Sequence, residues 1–375
     1  MERNFAGVQL RSTIDASGVL KVDLAEIAAA PPEDHELVVR VEAAPINPSD
    51  LALLFGPVDP AGLQAGTVAG RPALMGSIPA AAMASVEGRL GLVATPGNEG
   101  AGTVVDAGRK VREWIGRRVG MQGGGMYAQY RVIDAAHCMP IPDGATVVDG
   151  ASMFVNPLTA LCFVETMKAE GHKAIVHFAA ASNLGQMLNR ICIKDGIPLV
   201  NIVRNEVQAS LLRDAGARWV LNSESAAYEE ELADALAETG ATLAFDPIAG
   251  GIQGGRLLAA MEKVANKKAA GFDRYGSGIY KQVYVYGQLD AAPIVIDRWL
   301  AYAWGLSGWL LTYRLRTLGD AGVARLRQRI ADELTTTFAS RYTRSLNLAE
   351  ALDPDHVAAY ARKATGEKYL IAPHG

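Results

Sequence analysis

Cysteine is scarce in this chain: Cys138, Cys162 and Cys192 are the three present. Their odd number and wide separation, with no C-x-x-C pair, leave no basis for a disulfide framework or a thiolate zinc site. Histidine is sparse as well, at six. His35, His137, His177 and His356 show no metal-ligand spacing and read as structural or solvated. Long apolar runs are missing too. The longest, Trp299 to Leu311, is interrupted by glycine and serine and falls short of the roughly 20 residues needed to cross a bilayer. It is expected to be core, and no membrane partner is expected. Neither sign of charge dominates, since 36 Lys and Arg stand against 40 Asp and Glu for a net charge of −4. The basic residues are scattered, so no face for a phosphate backbone forms and nucleic acid is not an expected partner. Met1 to Leu10 holds Glu2 and Arg3 but no apolar stretch of secretory length, so a cytoplasmic location is expected.

What is present fits a folded α/β enzyme. Half the residues are hydrophobic, 20% are charged and 39 are glycine. A chain of 375 residues exceeds what one hydrophobic core usually serves, so two domains are expected. Residues 1–150 read as strands and turns, with Glu36 to Glu42 alternating as a half-buried strand does. Thr67 to Leu92, rich in Ala, Gly and Met, reads as a long loop or insertion. From Lys173 the rhythm changes. Short apolar runs at Ala174 to Phe178, Ile197 to Val203, Ala241 to Phe245 and Val283 to Tyr286 alternate with amphipathic stretches such as Val207 to Ala215 and Tyr228 to Glu238. That alternation predicts a doubly wound parallel sheet over residues 151–316. Leu348 to Ile371 reads as a helix and one strand, so residues 317–375 are expected to return to the first domain.

After Phe178 comes Ala179 to Gly185 (AAASNLG), followed by a helical stretch from Gln186 to Lys194. This is the register of a dinucleotide turn, where small residues let backbone N–H groups and a helix N-terminus approach a pyrophosphate. The three glycine positions would be Ala180, Ser182 and Gly185, and Ala181, Asn183 and Leu184 complete the candidate cradle. The next strand ends at Val203, Arg204 and Asn205. No acid stands at its tip for a ribose 2′-hydroxyl, whereas the guanidinium of Arg204 suits a 2′-phosphate, which favours NADP (NADPH) over NAD. The alternatives are a solvated strand-end charge at Arg204, and NAD with Glu206 as the acid.

Eight segments occur in the order of a known family: Ala44 to Asp50 (APINPSD), Pro96 to Thr103 (PGNEGAGT), Tyr127 to Tyr130 (YAQY), Asn156 to Ala160 (NPLTA), the turn at Ala179 to Gly185, Asp214 to Ala217 (DAGA), Asp246 to Gly251 (DPIAGG) and Thr365 to Leu370 (TGEKYL). On them the chain resembles the medium-chain dehydrogenase/reductase superfamily, and within it the zinc-free quinone and enoyl reductases. The resemblance implies a GroES-like β-rich substrate domain, a Rossmann doubly wound cofactor domain and a small-molecule substrate between them. It also implies no zinc, because Asn47 and Asn98 stand where zinc-dependent relatives carry Cys and His, and amides are poor zinc ligands. Without a Lewis acid, hydride transfer to a quinone or α,β-unsaturated carbonyl is the expected reaction.

By the same resemblance Asn47 faces the substrate with Asp50 beside it, and Asn156 and Thr159 lie near the nicotinamide. The alternative is that Asn47 and Asp50 simply cap the helix after Pro48 and that Thr159 is core. The tyrosine that mitochondrial-type enoyl thioester reductases place after the first motif is absent from Leu53 to Val58, so proton donation falls to solvent. Pro57 to Thr95 is longer than in such relatives. Gly287, after Val283 to Tyr286, marks where zinc-free relatives pair through a late strand, so a homodimer is expected. An enoyl thioester reductase and a nucleotide-binding protein with little catalysis are the competing readings.

Overall fold

The Glu36–Pro45 strand has the composition of a sheet centre, and its Leu37, Val39 and Val41 are fully buried. In the computed structural model, which describes residues 5–268, 271–296 and 300–375, it pairs antiparallel with Glu99–Ala107, Tyr130–Asp134 and the late Tyr369–Ile371 strand. Glu2, Arg3 and Trp299 lie outside the described residues. The chain divides into two compact units, one running to Val155 and resuming at Arg327–Gly375, the other Asn156–Leu326. The second boundary falls inside the Leu311–Asp332 helix, which is broken at Gly319, where φ is +68°.

The first unit is β-rich, with a seven-stranded sheet around Glu36–Pro45 and a five-stranded sheet built on Ala6–Ile14 and Val19–Ala28. Here one expectation is corrected. Thr67 to Leu92 is not a loop: Gln64–Val68 and Arg71–Ser77 form a hairpin that extends the five-stranded sheet, and short helical turns follow. The turn residues Ala69 and Gly70 both have positive φ, +49° and +77°, as a tight two-residue hairpin requires. Alanine at the first of these positions removes the usual Asn-Gly signal, and the nearly all exposed Gln64–Val68 strand has no apolar alternation to read.

The second unit holds a six-stranded, all-parallel sheet in the spatial order Trp219–Asn222, Leu199–Val203, Ile175–Phe178, Leu243–Asp246, Lys281–Val285, Trp304–Gly308. Numbered along the chain this is 3-2-1-4-5-6, the doubly wound order, whose strand direction of progress reverses beside Ile175–Phe178. Val176, Val200, Ala244 and Val283 bury one face against Leu232, Leu236, Leu257 and Met261 of two helices. On the other face Phe163, from the Val155–Ala169 helix, stacks on Phe245 at 3.8 Å and meets Trp309 edge-on at 4.8 Å.

Two further expectations are corrected in this sheet. Val283 to Tyr286 does not form its free edge, since Lys281–Val285 is flanked on both sides and Trp304–Gly308 is outermost. Nor is Trp299 to Leu311 core: of its described residues only Leu300 is buried, while Tyr302 and Leu310 are 80% and 62% exposed. An apolar run on an edge strand reads like an apolar run in a centre, because hydropathy carries no information about which neighbours a strand has.

At the foot of this sheet Lys281, fully buried, pairs with Glu262 of the Gln253–Lys267 helix. The same carboxylate accepts from the Ser277 N–H and hydroxyl, both at 2.7 Å, and from Asn266 Nδ2 at 2.7 Å, which ties the 271–280 connection to the helix. Removing one partner of such a pair strands the other charge in a low-dielectric interior. Lys281→Met is therefore expected to lower unfolding stability by about 3 kcal/mol or more. Urea denaturation should show that the Lys281→Met/Glu262→Leu double variant recovers part of this loss. Equal stability of Lys281→Met and the wild type would contradict the pairing.

Candidate functional site

In the first unit the site grows from a helix cap. Asn47 precedes Pro48, and proline at the first position of a helix loses nothing, because that N–H has no intrahelical partner. Asp50, three residues on, accepts the Asn47 backbone N–H at Oδ2 (2.9 Å), so the cap reading of both residues holds. The cap is also wired into the interior. Asp50 Oδ1 accepts the Asn98 N–H at 2.9 Å, and Asn47 Nδ2 donates to Glu99 Oε1 at 2.9 Å. Asn47 and Asn98 are thus joined through the Asp50 carboxylate. Asn98 Nδ2 donates onward to Ser49 Oγ at 3.0 Å.

Glu99 was not among the residues singled out from the sequence, although it follows Asn98 directly. Its second oxygen accepts the N–H groups of Phe154 (3.0 Å) and Val155 (2.8 Å), where the chain leaves this unit. Lys368, also missed, lies buried in the closing TGEKYL segment and donates to Ser152 Oγ at 2.9 Å, which in turn meets the Tyr342 hydroxyl at 2.6 Å. Burial lifts the Asp50 carboxyl to about 6 against two backbone hydrogen bonds that hold it down. It raises Glu99 as well, opposed first by the Lys368 charge, and it lowers Lys368 to about 8, opposed by Glu99 and Asp50. Acids surrounded by apolar atoms and a single cation form a network whose members cannot be removed singly without cost.

The remaining candidates lie in the second unit. Ser182 caps the Asn183–Asp195 helix, its Oγ accepting the Gly185 N–H at 3.1 Å. Ala179 has φ +49° and Ala180 and Ala181 are buried, so the turn is as tight as its small residues suggest. A Cβ on Gly185 would come within 2.1 Å of the Ala180 carbonyl oxygen, which explains why the last glycine of the pattern survives. Leu184 is buried, and Asn183 opens the helix. Arg204 is exposed just past the Leu199–Val203 strand, and Asn205 caps the next helix through Oδ1, which accepts the Gln208 N–H at 3.0 Å. Glu206, the acid of the NAD alternative, is ion-paired with Arg213.

Gly287 follows the Lys281–Val285 strand, where a Cβ would meet the Pro247 oxygen at 2.8 Å. The Ser182 turn, Arg204 and Gly287 therefore gather at the carboxyl ends of three strands of one sheet, the edge where doubly wound sheets receive ligands. Asn156 is half-buried in the first turn of the Val155–Ala169 helix, and Thr159, 6% exposed, is buried in it. Beside Gly287 stands a residue that the sequence reading took only as strand. The Tyr286 hydroxyl meets Nε2 of the buried His177 at 2.8 Å, and burial lowers that imidazole to about 3, so it is neutral. Among the described residues no group of three or more His, Cys, Asp or Glu could hold a metal ion, and no helix is long and apolar enough to cross a membrane.

Comparisons with known proteins agree with this architecture. Residues 33–143 match the alcohol dehydrogenase GroES-like domain. A mitochondrial enoyl-[acyl-carrier-protein] reductase of Xenopus tropicalis is 31% identical over 206 residues, 52% of this chain and 49% of that protein. A mycocerosic acid synthase-like polyketide synthase of Mycobacterium tuberculosis is 28% identical over 68% of this chain and 11% of its own length. The chain thus spans about half of the first of these relatives and a small part of the second. Among solved structures, a putative NADPH:quinone reductase from Mesorhizobium loti has a TM-score of 0.72 at 23% identity over the whole of both chains. Escherichia coli quinone oxidoreductase complexed with NADPH has a TM-score of 0.67 at 18% identity, covering 98% of this chain and all of that one. The two solved structures share its fold.

The raised Asp50 carboxyl has a measurable consequence. Between its ordinary value of 3.8 and about 6 the native state holds a proton that the unfolded state has released, so this group makes stability fall as pH rises through that window. Asp50→Asn is expected to flatten the urea-unfolding stability profile between pH 4 and 6 by up to roughly 3 kcal/mol. An unchanged slope would show that Asp50 is ionised throughout.

Proposed function

We propose that this chain is a member of the medium-chain dehydrogenase/reductase superfamily and an NADPH-dependent, zinc-independent reductase of quinones or α,β-unsaturated carbonyl compounds. The observation that carries this reading is the Ser182-capped helix start beside Arg204, at the carboxyl ends of adjacent strands of a doubly wound sheet. In this reading the second unit holds the cofactor and the first serves the substrate. When bound, NADPH supplies the hydride. The backbone N–H groups from Ala180 to Gly185 and the positive end of the helix hold the diphosphate, Arg204 with Asn205 takes the 2′-phosphate, and Gly287 leaves room at the nicotinamide end. The fit rests on residues that are small where a diphosphate must approach and cationic where a 2′-phosphate would lie.

The chain's own contribution to chemistry is orientation and polarisation. In the first unit Asn47, fixed through Nδ2 by Glu99, is assigned to the substrate carbonyl on which negative charge develops, with Asp50 holding the cap; in the second unit Asn156 and Thr159 are assigned to the nicotinamide. The proton that completes the reduction comes from solvent. Zinc has no part, because the amides of Asn47 and Asn98 stand in the ligand positions and are already engaged by Glu99 and Ser49. An enoyl thioester reductase is the second reading, favoured by the 31% identity to the Xenopus enzyme. Three buried thiols suit a reducing compartment such as the cytoplasm.

A homodimer is part of this proposal, through the edge of the second unit's sheet. The outermost Trp304–Gly308 strand has an open pairing edge among the described strands, and exposed Tyr302 and Leu310 flank it. Tyr302→Lys/Leu310→Lys is expected to convert the dimer to monomer in light scattering. A wild type that is monomeric at micromolar concentration would remove this part of the proposal.

The cofactor assignment is tested by following NADPH and NADH oxidation with a quinone, an enone and an enoyl thioester. NADPH is expected to be preferred, and Arg204→Ala to raise its KM roughly tenfold to a hundredfold while leaving NADH unchanged, as loss of a charge-assisted pair would. The acceptor that turns over separates the two enzyme readings. Tight binding without turnover on any acceptor would leave a nucleotide-binding protein, and no binding of either nucleotide would overturn the proposal.

A further inference from the structure

Besides the carboxyl-end site, the second unit has a cleft of about 200 Å³ at the opposite, amino ends of the Leu199–Val203 and Trp219–Asn222 strands. Its walls are mostly apolar: Ile193, Ile197, Pro198, Leu199 and the face of Trp219. At the rim the Arg218 guanidinium lies 4.6 Å over the Trp219 ring and pairs with Glu238, and the indole Nε1 donates to the same carboxylate at 2.9 Å. The rim is therefore neutral and its aromatic ring is held in place.

One polar side chain lies buried in the wall of this cleft. Asn189, of the Asn183–Asp195 helix, is 2% exposed, lines the cleft, and has no hydrogen-bond partner for Nδ2. Its orientation follows from its neighbour. Asn201 Nδ2 lies 3.5 Å from the Leu199 carbonyl oxygen and 3.4 Å from that of Trp219, both acceptors, so that end of the Asn201 amide must be the donor. Asn201 then also donates to Asn189 Oδ1 at 3.4 Å, which leaves the Asn189 N–H₂, buried in the wall of the cleft, without an acceptor. A buried amide donor with no acceptor costs free energy that an incoming acceptor returns.

We infer that this cleft is a second small-molecule site, selective for a neutral, single-ring compound that carries a carbonyl acceptor. The size suits one ring, since an apolar cavity of about 150 Å³ accommodates benzene. The apolar walls and the neutral rim disfavour a charged ligand, the Trp219 face favours a planar one, and Asn189 demands an acceptor. The site lies at the other end of the strands from the proposed nucleotide site, so it goes beyond the proposed reaction and does not rest on it.

The probe is benzamide, with toluene as the ring that lacks a carbonyl, titrated into the full chain labelled at isoleucine methyl groups and observed by NMR. Benzamide is expected to shift Ile193 and Ile197 saturably, to leave Ile14 and Ile46 of the first unit unmoved, and to do so equally with saturating NADPH present. Asn189→Leu should weaken benzamide about fivefold without weakening toluene, the size of effect one lost hydrogen bond gives. Ile197→Trp, a change at the half-buried rim that leaves the interior amide alone, should abolish the Ile193 shift and keeps the test decisive if Asn189→Leu does not fold. Absence of any shift at Ile193 and Ile197 would overturn the site, as would displacement of benzamide by NADPH. Equal affinity for benzamide and toluene would overturn the role of Asn189.

Discussion

The carboxylate of Glu99 is the point on which the first unit turns. It is fully buried, and a buried charge persists only where donors and an opposite charge surround it. Glu99 meets this demand by collecting three separate stretches of chain: the amide of Asn47 at the head of a helix, the N–H groups of Phe154 and Val155 at the exit of the unit, and the charge of Lys368 near the C-terminus. Because each stretch supplies something the carboxylate cannot do without, the cap, the exit and the returning segment are specified together. The neighbouring carboxylate, Asp50, performs the local version of the same task for the backbone of Asn47 and Asn98.

The second unit works by geometry more than by charge. Its central strands are fully buried and mostly apolar, and the aromatic stack of Phe163 on Phe245 fixes one helix against the sheet without a polar contact. Polar residues are then free to sit at the strand ends. At the carboxyl ends stand Ser182, Arg204 and Gly287, and at the amino ends Asn189 and Trp219 frame the second cleft. One helix, Asn183–Asp195, serves both ends, with its cap at the first and Asn189 at the second.

Legibility in the sequence followed the range of the interactions concerned. The central strands and their helices were readable because apolar periodicity is a local property, and the turn at Ser182 because cap and small-residue preferences act over a few residues. The hairpin at Gln64–Val68 and Arg71–Ser77 was hidden, since an alanine occupies the position of positive φ and the outer strand is solvent-facing. Glu99 and Lys368 stood in quoted motifs, yet nothing local distinguishes a solvated Glu or Lys from a buried one. Their partners are 52 residues away for Glu99 and Asn47, and 216 for Lys368 and Ser152.

By itself the sequence determined the alternation of strands and helices and the α/β class, and it offered the cap at Asn47 and Asp50 as one of two readings. Each of these follows from propensity, periodicity or a motif a few residues long. Tertiary structure alone decided which strand lies at the sheet edge, which charges are buried, and which way the amide of Asn189 points. Those outcomes depend on neighbours brought together from distant parts of the chain, and the cost of leaving a buried polar group without a partner is settled only when those neighbours meet.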